Sequence, residues 1–126
     1  MPSCVHAIRV VILGRAHLRR AIHDQLAAAG LTVVAECASR REALEAVGSS
    51  RPDVCVVDRA IDGGGLIAMA AIASPPRPPR VIVVGGGDAP EERRAAKFAG
   101  ASDYLPGNPD AASLVAAVKR NAQPEV

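Results

Sequence analysis

The sequence predicts an α/β domain in which a five-stranded parallel sheet is covered by helices on both faces, a three-layer, doubly wound (βα)5 arrangement. Two observations predict it. Five short apolar runs occur without polar alternation, which is typical of strands that are buried on both faces. Segments with helical spacing separate these runs, so strand and helix alternate five times, connected by right-handed crossovers.

The five predicted strands are short and mostly rich in valine and isoleucine. They are Ile8–Leu13, Leu31–Ala35, Val54–Val57, Val81–Val84 and the weaker Tyr104–Leu105. In a sheet of this kind, functional residues gather in the loops that follow the carboxyl ends of the strands. We therefore expect the site among the loops that begin at residues 14, 37, 58, 85 and 106.

The first two predicted helices have clear apolar spacing or capping signals. Leu18, Ile22 and Leu26 repeat every four residues in the first helix, which we expect to end at Gly30. Ser39 and Glu42 have the spacing of a capping box, which predicts that a second helix begins there and closes at Gly48.

Three further helices follow. The third is predicted near Leu66–Ile72, before the proline-rich segment 74–80. Asp88 with Glu91 predicts the cap of the fourth helix, which stops at Gly100. Asp110 is expected to cap the fifth helix. The residues expected on the inner face of that helix are Leu114, Val115 and Val118.

Composition limits the classes of protein that fit. The 126 residues are 49% hydrophobic and 22% charged, which predicts one globular domain over 1–126 with its core at about 8–120. A net charge of +2 and 2% aromatic residues argue against nucleic-acid binding by this domain. The apolar runs fall far short of the roughly 20 residues of a membrane helix. Three scattered cysteines indicate neither a disulfide framework nor a zinc site, and they favour a cytoplasmic location.

Several segments together resemble a known family. RPDVCVVD (51–58), TVVAECASRREALEAV (32–47), AGASDYL (99–105) and IRVVIL (8–13) are similar to the receiver domain of two-component response regulators, of the NarL/LuxR type. The resemblance implies a flavodoxin-like receiver fold and a role in phosphorelay signal transduction and transcription regulation. It also implies a C-terminal DNA-binding domain, which these residues do not include.

The resemblance assigns roles to a set of positions, and most of the residues there differ from the family's. Asp58 stands at the phosphoacceptor position. Gly14 and Arg15 replace the acid pair that holds magnesium, Gly85 replaces the hydroxyl residue and Gly107 replaces the lysine. Tyr104 stands at the aromatic position that reports activation in the family.

These replacements predict a degenerate pseudo-receiver that is not an enzyme, with no catalytic residues and with magnesium binding lost or weak. A carboxylate accepts a phosphoryl group poorly unless a cation neutralises the growing charge, and one carboxylate holds magnesium weakly. A guanidinium offers a fixed fork of donors to a carboxylate, so we predict an ion pair between Arg15 and Asp58.

Three hypotheses of function follow. The first is a phosphorylation-independent interaction module that forms a homodimer through the fourth helix, the fifth strand and the fifth helix. The second is a sensor of a small anion, using Arg15, Arg59 and the glycine runs 63–65 and 85–87. The third is residual phosphorylation of Asp58, with Asp62 or Asp88 as substitute metal ligands.

Overall fold

The computed structural model describes residues 7–61, 72 and 78–122. Its five strands are β1 (Arg9–Leu13), β2 (Thr32–Cys37), β3 (Val54–Asp58), β4 (Arg80–Val84) and β5 (Asp103–Leu105). All neighbours pair in parallel, in the order β2-β1-β3-β4-β5. This is the flavodoxin-like, doubly wound order, so the predicted fold class is confirmed.

Four helices lie within the described residues. They are α1 (Ala16–Ala28), α2 (Arg40–Ser50), α3 (Pro90–Ala99) and α4 (Ala111–Ala122). Thus α3 and α4 are the fourth and fifth helices that the sequence predicts. The third predicted helix lies outside the described residues, apart from Ile72, which is buried. None of the described helices is both long and apolar enough to cross a membrane.

The core has two parts, one on each face of the sheet. Val11 and Leu13 of β1 pack on the side of α2 and α3, whose buried residues there are Ala43 and Ala96. The alternate residues of β1 and β3 pack on the other side, with α1 and α4. Members of this second cluster include Val10, Ile12, Ile22, Leu26, Leu114 and Val118. Each fully buried aliphatic side chain contributes about 1.5–3 kcal/mol, which is why β1, β3 and β4 are apolar apart from one charged residue at an end of each.

The start of α2 is capped as the sequence predicts, but its end is not where predicted. The Ser39 hydroxyl accepts the Glu42 N–H at 3.2 Å. The helix then continues through Gly48 to Ser50, and Arg51 ends it in the left-handed conformation with φ 47°. Glycine is tolerated inside a helix at a modest cost, so Gly48 did not stop this one.

The predicted cap at Asp88 is wrong. Ala89 occupies the cap position and Pro90 begins α3, because proline has a suitable φ and needs no N–H partner in the first turn. Asp88 instead accepts a hydrogen bond from Arg93 Nε at 3.0 Å. The cap predicted at Asp110 is confirmed by its acceptance of the Ser113 N–H at 2.7 Å.

Candidate functional site at the carboxyl edge of the sheet

The loops that follow β1, β3 and β4 meet around Asp58. A Cβ atom built on Gly14 would lie 3.0 Å from Asp58 Cβ, and one built on Gly85 would lie 3.4 Å from Asp58 Oδ1. The loop after β5 is tied to the same edge, since the Gly107 N–H donates to the Gly86 carbonyl at 2.9 Å. The structure therefore brings Gly14, Arg15 and Gly85 to Asp58, whereas nothing lies within 4 Å of a Cβ built on Gly107.

Asp58 is the one buried charged residue in the described part of the chain, with 1% of its surface exposed. Its two carboxylate oxygens accept four hydrogen bonds. Oδ2 accepts from the Arg15 backbone N–H at 3.0 Å and from Arg15 Nε at 2.7 Å. Oδ1 accepts from Arg15 Nη2 at 3.3 Å and from the Ala60 N–H at 2.9 Å. Every oxygen of this carboxylate is thus engaged by protein donors.

The Arg15 side chain is 45% exposed and reaches inward from the residue that precedes α1. The side-chain hydrogen bond that Arg15 donates to Asp58, and then the negative charge of Asp58, raise the pKa of Arg15. Burial alone would raise the pKa of Asp58, but the hydrogen bonds from Arg15 and from the Ala60 N–H, together with the charge of Arg15, outweigh burial and lower it. Both shifts favour the charged pair.

Arg19 is a second cation at this edge, and the sequence reasoning missed it. Its Nη1 donates to the Gly14 carbonyl at 2.9 Å, and its Nε lies 3.4 Å from Glu36 Oε1 at the end of β2. His23 pairs with the same Glu36 carboxylate. Arg19 lies on α1 four residues after Arg15, the residue that precedes this helix. That spacing is the signal that could have found Arg19, because residues four apart lie side by side on a helix.

Tyr104 points inward, and the glycine run after β4 surrounds its hydroxyl. The hydroxyl donates to the Gly87 carbonyl at 2.7 Å. A Cβ atom on Gly86 would lie 2.0 Å from Tyr104 Oη. The glycine run 85–87 therefore forms the packing site of the Tyr104 hydroxyl. This packing requires that residue 86 have no side chain.

Two amides of this glycine run are occupied by protein acceptors. The Gly85 N–H donates to the Leu105 carbonyl at 3.3 Å, and the Gly87 N–H donates to Glu92 Oε1 at 3.3 Å. An anion cradle needs free amides that point at the ligand, and Glu92 already supplies a carboxylate here. The other predicted run, 63–65, lies outside the described residues, as does Asp62.

The residues at Asp58 do not fit the magnesium ion that the resemblance implies. Magnesium requires near-octahedral oxygen ligands, and Gly14 and Arg15 provide a hydrogen atom and a cation where carboxylates are needed. Within residues 7–61, 72 and 78–122, no three histidine, cysteine, aspartate or glutamate residues are placed to share a metal ion. Asp88, a proposed substitute ligand, is held by Arg93.

Arg59 and the buried cysteines are two further groups whose surroundings bear on the chemistry of the site. Arg59 is half-buried, and its Nε has no hydrogen-bond partner in the part of the chain that the structure describes. The thiols of Cys37 and Cys55 are buried, and burial raises the pKa of each, so neither is an activated nucleophile.

Comparison with known proteins agrees with this architecture. A model of the response regulator receiver domain family matches residues 11–119. No curated protein matches the sequence.

Solved structures give the same result. The signal receiver domain of the response regulator NarL from Mycobacterium tuberculosis is 28% identical with a TM-score of 0.85, covering 93% of this chain and 97% of that one. A LuxR-family two-component response regulator from an Aurantimonas species is 27% identical with a TM-score of 0.81, covering 93% and 86%. The response regulator domain of Thermotoga maritima CheB is 22% identical with a TM-score of 0.83, covering 96% and 100%, and shows the shared fold.

Proposed function

The chain belongs to the response regulator receiver domain family, and from that premise we propose that it signals through protein contacts, independently of phosphorylation at Asp58. In this proposal it is a degenerate receiver without enzymatic activity. The similarity to NarL and to a LuxR-family regulator supports a place in a cytoplasmic transcription regulator with a C-terminal DNA-binding domain.

The observation that carries the proposal is the double engagement of Asp58 by Arg15. A phosphoryl group can reach a carboxylate oxygen only if that oxygen is free and a cation neutralises the transferred charge. Here the guanidinium contacts both oxygens, at 2.7 Å and 3.3 Å. The pair joins the loops after β1 and β3 without metal or phosphate, so their arrangement does not depend on the phosphate supply.

Intact mass spectrometry tests the proposal directly. The protein is incubated with acetyl phosphate and magnesium, beside a phosphorylatable receiver as a positive control. We expect no adduct on this chain. A stoichiometric adduct that Asp58→Asn abolishes would overturn the proposal. Magnesium at millimolar concentration is also expected to leave the thermal midpoint unchanged.

The predicted homodimer concerns the face formed by α3, β5 and α4, which we call the α3–β5–α4 face. If the domain does not wait for phosphate, this face is available at all times, and a second copy of the chain is one candidate occupant. Sedimentation at micromolar concentration tests this. A monomer throughout that range would contradict self-association.

Anion sensing is the alternative that a specific observation favours, namely the Arg59 Nε without a hydrogen-bond partner in the described residues. Inorganic phosphate or sulfate should then shift the NMR signals of Arg59 and its neighbours in a saturable way. Residual phosphorylation with Asp88 as a metal ligand ranks last, since Arg93 already holds that carboxylate.

A further inference from the structure

A hollow of about 220 Å³ lies between α1 and α4, on the face of the sheet opposite α2 and α3. Its apolar walls belong to the core of that face. They are formed by Leu18 and Ile22 of α1, Val84 at the end of β4 and Leu114 of α4. Because Ile22, Val84 and Leu114 are buried, the hollow reaches from the surface to the packed interior.

The mouth of the hollow is polar. His17 and Gln25 of α1 line it, together with Asn108 of the loop after β5. These three side chains have no hydrogen-bond partner within the residues that the structure describes. Imidazole and amide groups both donate and accept hydrogen bonds. The mouth therefore offers both kinds of partner to the polar end of a molecule that enters.

The absence of charge in the lining limits the class of ligand. Among the described residues that line the hollow, none is an aspartate, glutamate, lysine or arginine. A charged group that entered would lose its hydration without gaining a fixed counter-ion, which is costly. The hollow therefore favours an uncharged molecule.

The hollow is separate from the site at Asp58. A Cβ atom built on Gly85 would lie 4.0 Å from Leu18 Cδ2 and 3.4 Å from Asp58 Oδ1. Leu18 and Gly85 thus stand between the hollow and the carboxylate. A molecule bound in the hollow does not need to contact Asp58.

The volume of the hollow limits the size of the ligand. An apolar cavity of about 150 Å³ holds a benzene ring, whereas pockets for drug-sized molecules have about 300–1,000 Å³. At about 220 Å³, this hollow accommodates one ring with one small polar substituent. Water on its apolar walls makes few hydrogen bonds, so its displacement by a hydrocarbon ring is favourable.

We propose that the hollow between α1 and α4 binds a small uncharged molecule that joins one hydrocarbon ring to an amide, hydroxyl or carbonyl group. The ring packs on Leu18, Ile22 and Leu114. The polar group bonds to Gln25 and Asn108 at the mouth. The inference goes beyond the proposed function, because it concerns another face of the domain and a class of ligand that the function does not require.

The surface around the mouth argues against a protein segment as the occupant. Protein interfaces surround a central pocket with further apolar or aromatic groups that exclude water. In the described part of the chain, the large apolar side chains that stand exposed are Leu44 and Phe98. They lie on α2 and α3, which pack on the other face of the sheet. A small molecule that fits inside the hollow needs no such surround.

The probe is benzamide, an uncharged ring with one amide, titrated without magnesium or phosphodonor. Benzoate and benzamidinium have nearly the same shape with a negative and a positive charge, so they test the charge requirement. Acetamide keeps the amide without the ring. Methyl NMR signals of Leu18, Ile22 and Leu114 locate the bound probe, because ring protons within the hollow give nuclear Overhauser effects to them.

We expect saturable binding of benzamide, weaker binding of both ions, and none of acetamide. Ala21 is exposed and also lines the hollow. Ala21→Leu should lower the affinity by about tenfold or more, because the larger side chain fills the hollow while leucine remains a good helix former. Ala27→Leu is the matched control, since Ala27 is exposed on the same helix and does not line the hollow.

Gln25→Met tests the polar contact, because methionine has a similar length and no amide. The affinity for benzamide should fall by about twofold to tenfold, which corresponds to the loss of one hydrogen bond. The Overhauser effects from the ring to Ile22 and Leu114 should persist in this variant.

No saturable binding of benzamide, equal or tighter binding of either ion, or equal binding of acetamide would each overturn the inference, and none of these results needs a variant. Benzamide binding that Ala21→Leu leaves intact would also overturn it. Self-association that Ala21→Leu abolishes would do the same, because the occupant would then be a second copy of the chain.

These results are distinguishable from a failure of the proposed function. A phosphate adduct on Asp58 together with benzamide binding would remove only the proposed independence of phosphate. No adduct and no benzamide binding would remove only the uncharged ligand.

Discussion

Gly86 and Tyr104 are in such close contact that a Cβ atom on the glycine would lie 2.0 Å from the tyrosine hydroxyl oxygen. The hydroxyl donates to the next residue's carbonyl, Gly87, at 2.7 Å. Tyr104 is buried, and the Arg93 guanidinium lies 5.6 Å from the centre of its ring. The inward position of this tyrosine therefore depends on the absence of a side chain at residue 86.

Gly86→Ala should turn Tyr104 out of its seat. The added methyl group cannot share space with the hydroxyl, and both the hydrogen bond and the burial of the ring are lost. A lost hydrogen bond of this kind costs about 0.5–1.5 kcal/mol. Tyrosine fluorescence should change, and quenching by acrylamide should increase.

Gly48→Ala is the matched control for that variant. Nothing lies within 4 Å of a Cβ at Gly48, which sits inside α2. Alanine there should stabilise the protein by about 0.5–1 kcal/mol and leave the fluorescence unchanged. If acrylamide quenching of Tyr104 is unchanged in Gly86→Ala, the loop at residues 85–87 has moved to accommodate the methyl group and the tyrosine ring has not.

Tyrosine ionisation gives a second measurement at the same place. Burial, and then the Glu92 carboxylate, raise the pKa of Tyr104 above its ordinary value of 10.0. Folding therefore favours the neutral phenol, and this contribution to stability is present below pH 10 and lost as the pH rises through the higher folded pKa. An ultraviolet titration should give a midpoint above 10 in the folded protein and near 10 in denaturant. Gly86→Ala should move the folded midpoint down.

The pH dependence of Arg15 variants tests the pair at Asp58. The pKa of Asp58 lies below its ordinary value of 3.8 because the hydrogen bonds from Arg15 and Ala60 and the charge of Arg15 together outweigh burial. This carboxylate therefore contributes stability above pH 3.8, which is lost as the pH falls through the lower folded pKa. In Arg15→Gln the burial remains while the guanidinium is gone, so the pKa should rise.

Carboxyl-carbon NMR of Asp58 measures that rise. Arg15→Lys is the control, because it keeps the charge but loses the planar fork of donors. It should give a pKa between those of the wild type and Arg15→Gln. An Asp58 pKa that is the same in all three proteins would mean that Arg15 does not hold this carboxylate in solution.

The sheet and its core were predictable because burial on both faces leaves a direct pattern. Val54–Val57 is apolar at every position, and such a run between helical segments is typical of a covered parallel strand. The proximity of residues 15 and 58 also followed from topology, since β1 and β3 are neighbours and their carboxyl ends share an edge. The cap predicted from local spacing at Asp110 was correct, and its carboxylate accepts the Ser113 N–H.

The errors have a different origin. Asp88 has the right spacing from Glu91 for a helix cap. However, Pro90 favours a helix that begins at Pro90 with Ala89 as its cap, and Arg93 binds the Asp88 carboxylate. The seat of Tyr104 on the glycine run depends on the distance between two loops that are not adjacent in sequence. Residue spacing along the chain does not give that distance. The same glycines were therefore equally consistent with a loop that binds phosphate.

The last prediction concerns restoring the missing magnesium site. Gly14→Asp with Arg15→Asp removes the guanidinium and places three carboxylates together, whose mutual repulsion a metal ion relieves. Gly14 does not have a positive φ, so an aspartate is compatible with its backbone, although its Cβ at 3.0 Å from Asp58 Cβ requires a small shift. Magnesium should therefore raise the thermal midpoint of this double variant and not that of the wild type.

Adding Gly85→Thr and Gly107→Lys carries a backbone cost that the first two substitutions do not, because φ is 87° and 66° at these residues. A side chain in that left-handed region costs about 1–2 kcal/mol per residue, so the two together should destabilise the protein by about 2–4 kcal/mol in urea unfolding. Adducts with acetyl phosphate should then appear only when magnesium is present and should be lost with Asp58→Asn. A double variant that ignores magnesium would show that more than the acid pair separates this chain from a metal-binding receiver.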